Sequence, residues 1–144
     1  MVIDKYMKSG QMTESSVFME GMIQEATAIH EAHPEYLERT LRQKILETDD
    51  NPFDSEYFTN IEHADGRDEP LREDSPCIII ATSGMLEGGP VLEYFRNLAP
   101  DKRNKILFVS YQVNGTLGRR VMDGARQVSI LGKEGKVEVV TINY

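Results

Sequence analysis

From Pro76 to Gly124 the sequence runs through the same pattern twice: an apolar run, a glycine-bearing turn, and a short amphipathic stretch. Cys77-Ile78-Ile79-Ile80-Ala81 is continuously apolar, the pattern of a parallel strand buried on both faces. Thr82-Ser83-Gly84 turns the chain. Pro90 suits the first position of a helix, and Val91, Leu92, Phe95 and Leu98 form its buried stripe up to Pro100-Asp101. Ile106-Leu107-Phe108-Val109 reads as a second buried strand. Asn114-Gly115-Thr116 turns the chain again, and Leu117 to Met122 is a short helix stopped by Gly124. A β-α-β-α order of this kind crosses over right-handedly in about 98% of cases. Both turns then lie at the carboxyl edge of a parallel sheet, where open α/β sheets bind ligands. Ser83 and Gly84 are thereby expected close to Gly115, Thr116, Gly118, Arg119 and Arg120.

The rest of the chain is read around this unit. Val2, Ile3, Tyr6 and Met7 share a helical stripe that Gly10 ends, and the missing N-cap suggests a piece of something longer. Val17-Phe18-Met19 is a short strand. Gly21 to Ala32 is a helix with Met22, Ala26, Ile29 and His33 on one face. Pro34 breaks it, and Glu35 to Glu47 follows as a helix with Leu37, Leu41 and Ile45 every fourth residue. Thr48 to Ser75 reads as a long surface loop with one short strand, anchored by Tyr57, Phe58 and Ile61. After Gly124, Gln127–Leu131 and Val137–Ile142 alternate as a hairpin around Gly132 to Gly135.

Charge divides the chain. Residues 1–75 hold 7 Lys/Arg against 18 Asp/Glu, and residues 76–144 hold 9 against 6, so a net −8 hides a positive second half. That asymmetry points to a polyanionic partner for the second half, with an acidic face that keeps the domain soluble as the simpler alternative. No apolar run approaches a membrane span, and the start carries no secretory pattern. The single cysteine, Cys77, excludes an internal disulfide, fits a reducing cytoplasm, and reads as an inert core residue.

Each turn feeds a helix N-terminus, where free backbone N–H groups and a partial positive charge are expected. Glycines permit close approach of a ligand, Ser83 and Thr116 add hydroxyls, and Arg119 and Arg120 add guanidinium forks suited to phosphate oxygens. Lys102, Arg103, Lys105 and Arg126 extend the basic surface. Repeated donors and cations without base-reading groups suit a nucleic-acid backbone. The same glycines also serve turns that merely feed helices, and the arginines could be a solvated face. Neither GxGxxG nor GxxxxGK[ST] occurs, so no dinucleotide or P-loop site is supported. His30 and His33 stand at i, i+3 without HExxH spacing and without a cluster to complete a metal site, and His63 stands apart. Asp49, Asp50, Asp54, Asp65 and Asp68 read as turn residues. Ser83, in ATSGM, lacks the GxSxG context of an activated nucleophile.

IIIATSGMLEGGPVLEYFRNLAP followed by GTLGRRVMDG closely resembles the β-CASP region of metallo-β-lactamase-fold RNases, of the archaeal cleavage and polyadenylation specificity factor type that carries KH domains. EGMIQEATAIHEAHPEYLERTLR and NPF upstream extend the resemblance over nearly the whole chain. It implies one β-CASP domain over residues 1–144. The expected fold class is α/β: Rossmann-like, three-layer α/β/α with a mainly parallel sheet and a C-terminal hairpin. It also implies a parent that cuts single-stranded RNA with two zinc ions held between the metallo-β-lactamase and β-CASP domains, acts in mRNA 3′-end formation, and can form a homo-oligomer. Neither the HxHxDH signature nor any histidine after His63 is present. The resemblance therefore carries over only to RNA-facing turns, Ser83 and Gly84 in ATSGM and Thr116, Arg119 and Arg120 in GTLGRR, with no catalytic residue, no metal ligand and no hydrolysis expected from this segment alone. The alternative is a structural or protein-interaction module whose acidic half docks a partner or the catalytic domain.

Overall fold

A computed structural model describes residues 2–47, 51, 53–132 and 135–143. The chain divides into two compact units, residues 1–80 and 81–144.

The first unit opens with α1 (Val2–Lys8), which Gly10 ends in the left-handed region at φ +69°. Strand β1 (Val17–Glu20) is buried along its whole length. Helix α2 (Ile23–Ala32), a 3-10 turn at Pro34–Tyr36 and α3 (Arg39–Glu47) follow. The break at Pro34 is as expected, but α3 starts four residues later than the sequence pattern suggests. The Glu38 carboxylate accepts the Leu41 amide at 3.3 Å and supplies the N-terminal cap. Strand β2 (Phe58–Ile61) is the one strand expected in the 48–75 stretch, of which residues 48–50 and 52 lie outside the described residues. The same stretch also folds a 3-10 turn at Ala64–Arg67 and helix α4 (Asp68–Arg72), which no apolar periodicity announces.

With β3 (Ile78–Ala81) these strands form a mainly parallel sheet in the order β2-β1-β3. Val17 pairs Phe58 and Glu20 pairs Ile61 in parallel register. Gln24 ties the strand ends together, its Nε2 donating to Met19 O at 3.0 Å and Ile61 O at 3.1 Å. Met7, Val17 and Met19 are the core of this unit, covered by half-buried side chains that include Ile23, Phe58, Ile78 and Ile80. A buried carboxylate, Glu20, is matched by Arg67, whose Nη2 lies at 2.6 Å and Nε at 2.8 Å from Oε1. The fork geometry offsets the desolvation of both charges.

Three expectations for this region are corrected. Strand β3 is half-buried rather than buried on both faces, because it occupies an end of the sheet order with β1 on one side only. The α1 stripe faces inward only in part: Met7 is in the core with Ile3 packed against it, while Val2 and Tyr6 are exposed and Asp4 is buried instead. Helices α2 and α3 bury no residue, leaving Met22 and Ile29 exposed where a buried face was expected.

The second unit contains α5 (Val91–Leu98), α6 (Leu117–Met122) and an antiparallel hairpin of β4 (Gln127–Leu131) and β5 (Val137–Thr141). Residues 133 and 134 of the expected hairpin loop lie outside the described residues. The hairpin alternates as its sequence does: Val128 and Ile130 face Val140 and Ile142 in a core shared with Phe95, Ala99, Leu117 and Val121. Burying one such side chain contributes about 2 kcal/mol. Gly124, at φ +88°, ends α6 as expected.

The main correction concerns Ile106–Val109. This run forms no strand among the described residues, and Leu107 and Val109 are 85% and 89% exposed. An apolar run becomes a strand only when a neighbour completes its hydrogen-bond ladder. Within this run only Phe108 packs against the core of its unit, and it does so half-buried.

Candidate nucleic-acid interface

The turn after β3 is built from Thr82 to Gly89. Its ends are joined, Ser83 N donating to Gly88 O at 3.2 Å and Val91 N to Thr82 O at 3.1 Å. Leu86 takes the left-handed region at φ +58°. That conformation costs about 1–2 kcal/mol in a residue with a Cβ. The Leu86 side chain is buried in the core of this unit, a gain of comparable size. Gly89, at φ +75°, lies so close to the Thr82 carbonyl that a Cβ would stand 2.8 Å from it.

Three hydrogen bonds fasten this turn to the segment 112–118. Gln112 Nε2 donates to Gly84 O at 3.1 Å, Gly118 N to Met85 O at 2.9 Å, and Leu117 N to the Glu87 carboxylate at 2.6 Å. The two glycine turns therefore do meet, although not through a second parallel strand. Side-chain and backbone bonds across roughly 30 residues bring them together.

These bonds correct the picture of two helix ends with free amides. The first three amides of α6 are taken: Leu117 by Glu87, Gly118 by Met85 and Arg119 by the Thr116 hydroxyl at 3.2 Å. The amides of Val91, Leu92 and Glu93 at the start of α5 are taken by Thr82, Gly89 and Pro90. Leu117 and Gly118 are buried, and buried backbone groups find partners inside the protein. The open donors lie instead in the turn. Among the described residues, the Gly84, Met85, Glu87 and Gly88 amides have no acceptor.

The side chains divide in the same way. Thr116 Oγ1 donates to Val113 O at 2.7 Å, so its proton is committed to the N-cap. Arg119 is held by Asp123, with Nε at 3.0 Å and Nη2 at 2.9 Å from the carboxylate, and that hydrogen bond raises the guanidinium pKa. Arg120 is exposed and, among the described residues, pairs with no carboxylate. Ser83 is half-buried and its hydroxyl has no partner among those residues. Of the surrounding cations, Arg103 is paired with Asp101, whose carboxyl that hydrogen bond holds down at about 2. Lys102, Lys105 and Arg126 are exposed.

Sequence reasoning missed Gln112 and Glu87. Gln112 is 1% exposed and lies four residues after Phe108, which packs half-buried against the core. Gln112 gave no local signal, because it stands outside the 106–109 run, after exposed Ser110 and Tyr111. Glu87, the acidic residue of the turn, gave none.

The remaining polar groups do not form a second centre. His30 Nδ1 lies 2.6 Å from Ala26 O and its ring stacks on Phe53, while His33 contacts Glu35. Among the described residues no three His, Cys, Asp or Glu side chains converge. Burial, and then the charge of Glu73, push the Cys77 thiol up and keep it protonated.

A mixed α/β fold with a mainly parallel three-stranded sheet and a C-terminal antiparallel hairpin is consistent with a Beta-Casp domain. The Beta-Casp domain family model matches residues 1–121, and the chain belongs to that family. It is 79% identical over 142 residues to the transcription termination factor FttA of Cenarchaeum symbiosum, and 49% identical over 143 residues to the protein of the same name from Pyrococcus abyssi. A third, from Lokiarchaeum, is 44% identical over 141 residues. The first two alignments cover 99% of this chain and 22% of each relative, so the chain spans about a fifth of their length.

Proposed function

We propose that this Beta-Casp domain grips single-stranded RNA for a transcription termination factor of the cleavage and polyadenylation specificity factor type, and that it performs no hydrolysis by itself. The observation that carries the reading is the pairing of open amides in the 84–88 turn with an uncommitted Arg120 on the helix fastened to that turn. Amides and one guanidinium recognise phosphate oxygens without reading bases. The net positive charge of residues 81–144 adds a sequence-independent attraction. Ser83, Gly84 and Arg120 are the direct contacts in this reading, and Thr116 and Arg119 shape the helix that presents Arg120. In this reading the two zinc ions of the parent, and the hydrolysis they support, sit between a metallo-β-lactamase domain and this one, in the cytoplasm.

Binding of a fluorescent single-stranded RNA at several salt concentrations tests this. The reading requires affinity that falls steeply with salt and weakens on all RNA sequences alike when Arg119 and Arg120 are both changed to Ala. Affinity indifferent to salt and to that change would remove the site.

One observation favours a second role. The first unit is strongly acidic, and its helices α2 and α3 bury nothing while Met22, Ile29 and Tyr36 stand exposed. These faces suit docking on the catalytic domain, which titration with the isolated metallo-β-lactamase domain would detect.

A further inference from the structure

We infer that Gln112 is the positioning residue of this RNA-gripping face, acting through the Gly84 turn and through α6 without touching RNA; the inference rests on the reading just given. Gln112 is the most enclosed polar side chain of its unit, 1% exposed. Its Nε2 donates to two carbonyls at once, Gly84 O at 3.1 Å and Ser110 O at 3.1 Å. Its Oε1 is buried, has no hydrogen-bond partner among the described residues, and occupies the space that a Cβ on Gly118 would need. One amide group thus holds the turn with one end and packs against the first turn of α6 with the other. Gly118 in turn donates to Met85 O, closing a ring through Gln112, Gly84, Met85 and Gly118.

The ring fixes the spacing between the open amides of the turn and the helix that carries Arg120. A phosphate chain that uses both needs that spacing held before it arrives, because ordering the two segments on binding would subtract from affinity. The side chain must be Gln for a geometric reason. A carboxylate would bring oxygen against the carbonyls of Gly84 and Ser110, and an apolar residue of the same length would leave both carbonyls unsatisfied.

The test is a double-mutant cycle in the full chain. Gln112→Met keeps length and volume and removes the donors; Gln112→Glu keeps shape and serves as the second variant should Met disturb packing. Single-stranded RNA affinity is measured for each in the native and the Arg120→Ala background, together with thermal melting and amide exchange. The expected result is an RNA affinity loss of about tenfold in the native background and under about twofold once Arg120 is gone, since the two act as one unit. Amide exchange at Leu117 and Gly118 should quicken while Val128 stays protected. Equal losses in both backgrounds would overturn the inference, because Gln112 would then act on stability alone. Unchanged RNA affinity in the Gln112 variants, where Arg120→Ala does weaken binding, overturns the inference and leaves the RNA-gripping reading standing. Unchanged affinity in all variants, Arg120→Ala included, overturns that reading and this role with it.

Discussion

The Glu87 carboxylate accepts the Leu117 amide hydrogen at 2.6 Å, so the first turn of α6 already holds an anion supplied by the chain itself. The contact stabilises the helix end and adds a negative charge beside the face proposed to bind phosphate. Glu87→Gln keeps an acceptor and removes the charge. RNA affinity should rise about threefold at low salt and converge on the native value at high salt, where the repulsion is screened. Filter-binding curves at two ionic strengths would show it, and an affinity that stayed level at low salt would mean phosphates pass elsewhere.

Neighbouring arginines should behave unequally. Arg119 is engaged by Asp123, whereas Arg120 has no carboxylate among the described residues. Arg120→Ala should reduce RNA affinity about tenfold and lower the slope of log affinity against log salt by about 1. Arg119→Ala should leave the slope nearly unchanged. Equal effects from the two variants would show that the Asp123 pair opens when RNA binds.

Gly118 has no room for a side chain. A Cβ there would collide with Gln112 Oε1 and stand 2.9 Å from Met85 O. Gly118→Ala should cost about 2 kcal/mol of stability in urea unfolding of the second unit, as overpacking does. Gly115→Ala is the informative contrast. Its Cβ meets nothing within 4 Å, but its φ of +92° disfavours any L side chain, so its cost comes from the backbone alone.

Acid should loosen the first unit through Asp4. Burial raises the carboxyl pKa, but hydrogen bonds from Ser55 at 2.7 Å and from Lys8 outweigh it and hold the value below the usual 3.8. A folded pKa below the unfolded one contributes stability that is present above the unfolded value and lost as pH falls through the folded value. Urea midpoints should therefore drop below about pH 4, and the drop should be smaller in Asp4→Asn, which forgoes the ionised state at every pH. Parallel pH profiles for the two proteins would rule this contribution out.

Much of the fold was legible because local chemistry encodes it. Pro90 opens α5, Gly124 closes α6, Pro34 separates α2 from the segment after it, and the alternation of 127–131 and 137–141 makes a hairpin. Each rests on residues within a few positions of one another. Helix α4 was not legible, because DEPLR carries no apolar stripe and Pro70 is its one buried residue. The 106–109 run misled for the opposite reason: its apolar content satisfies the local requirement for a strand, while pairing depends on a distant neighbour.

The same division runs through the candidate site. By itself the sequence determined the materials: two glycine turns, their hydroxyls, the Arg119-Arg120 pair and a positive second half. It also marked the family through the long runs around ATSGM and GTLGRR. Only the tertiary structure decided which of these groups remain available. The helix-end amides are consumed by Glu87, Met85 and Thr116, Arg119 is consumed by Asp123, and the open donors move to the 84–88 turn and Arg120. The physical reason is that a donor or charge of a folded chain pairs with whatever the fold brings within about 3 Å. For the bonds that fasten the two turns, that partner lies 28 to 33 positions away, beyond the reach of any local pattern.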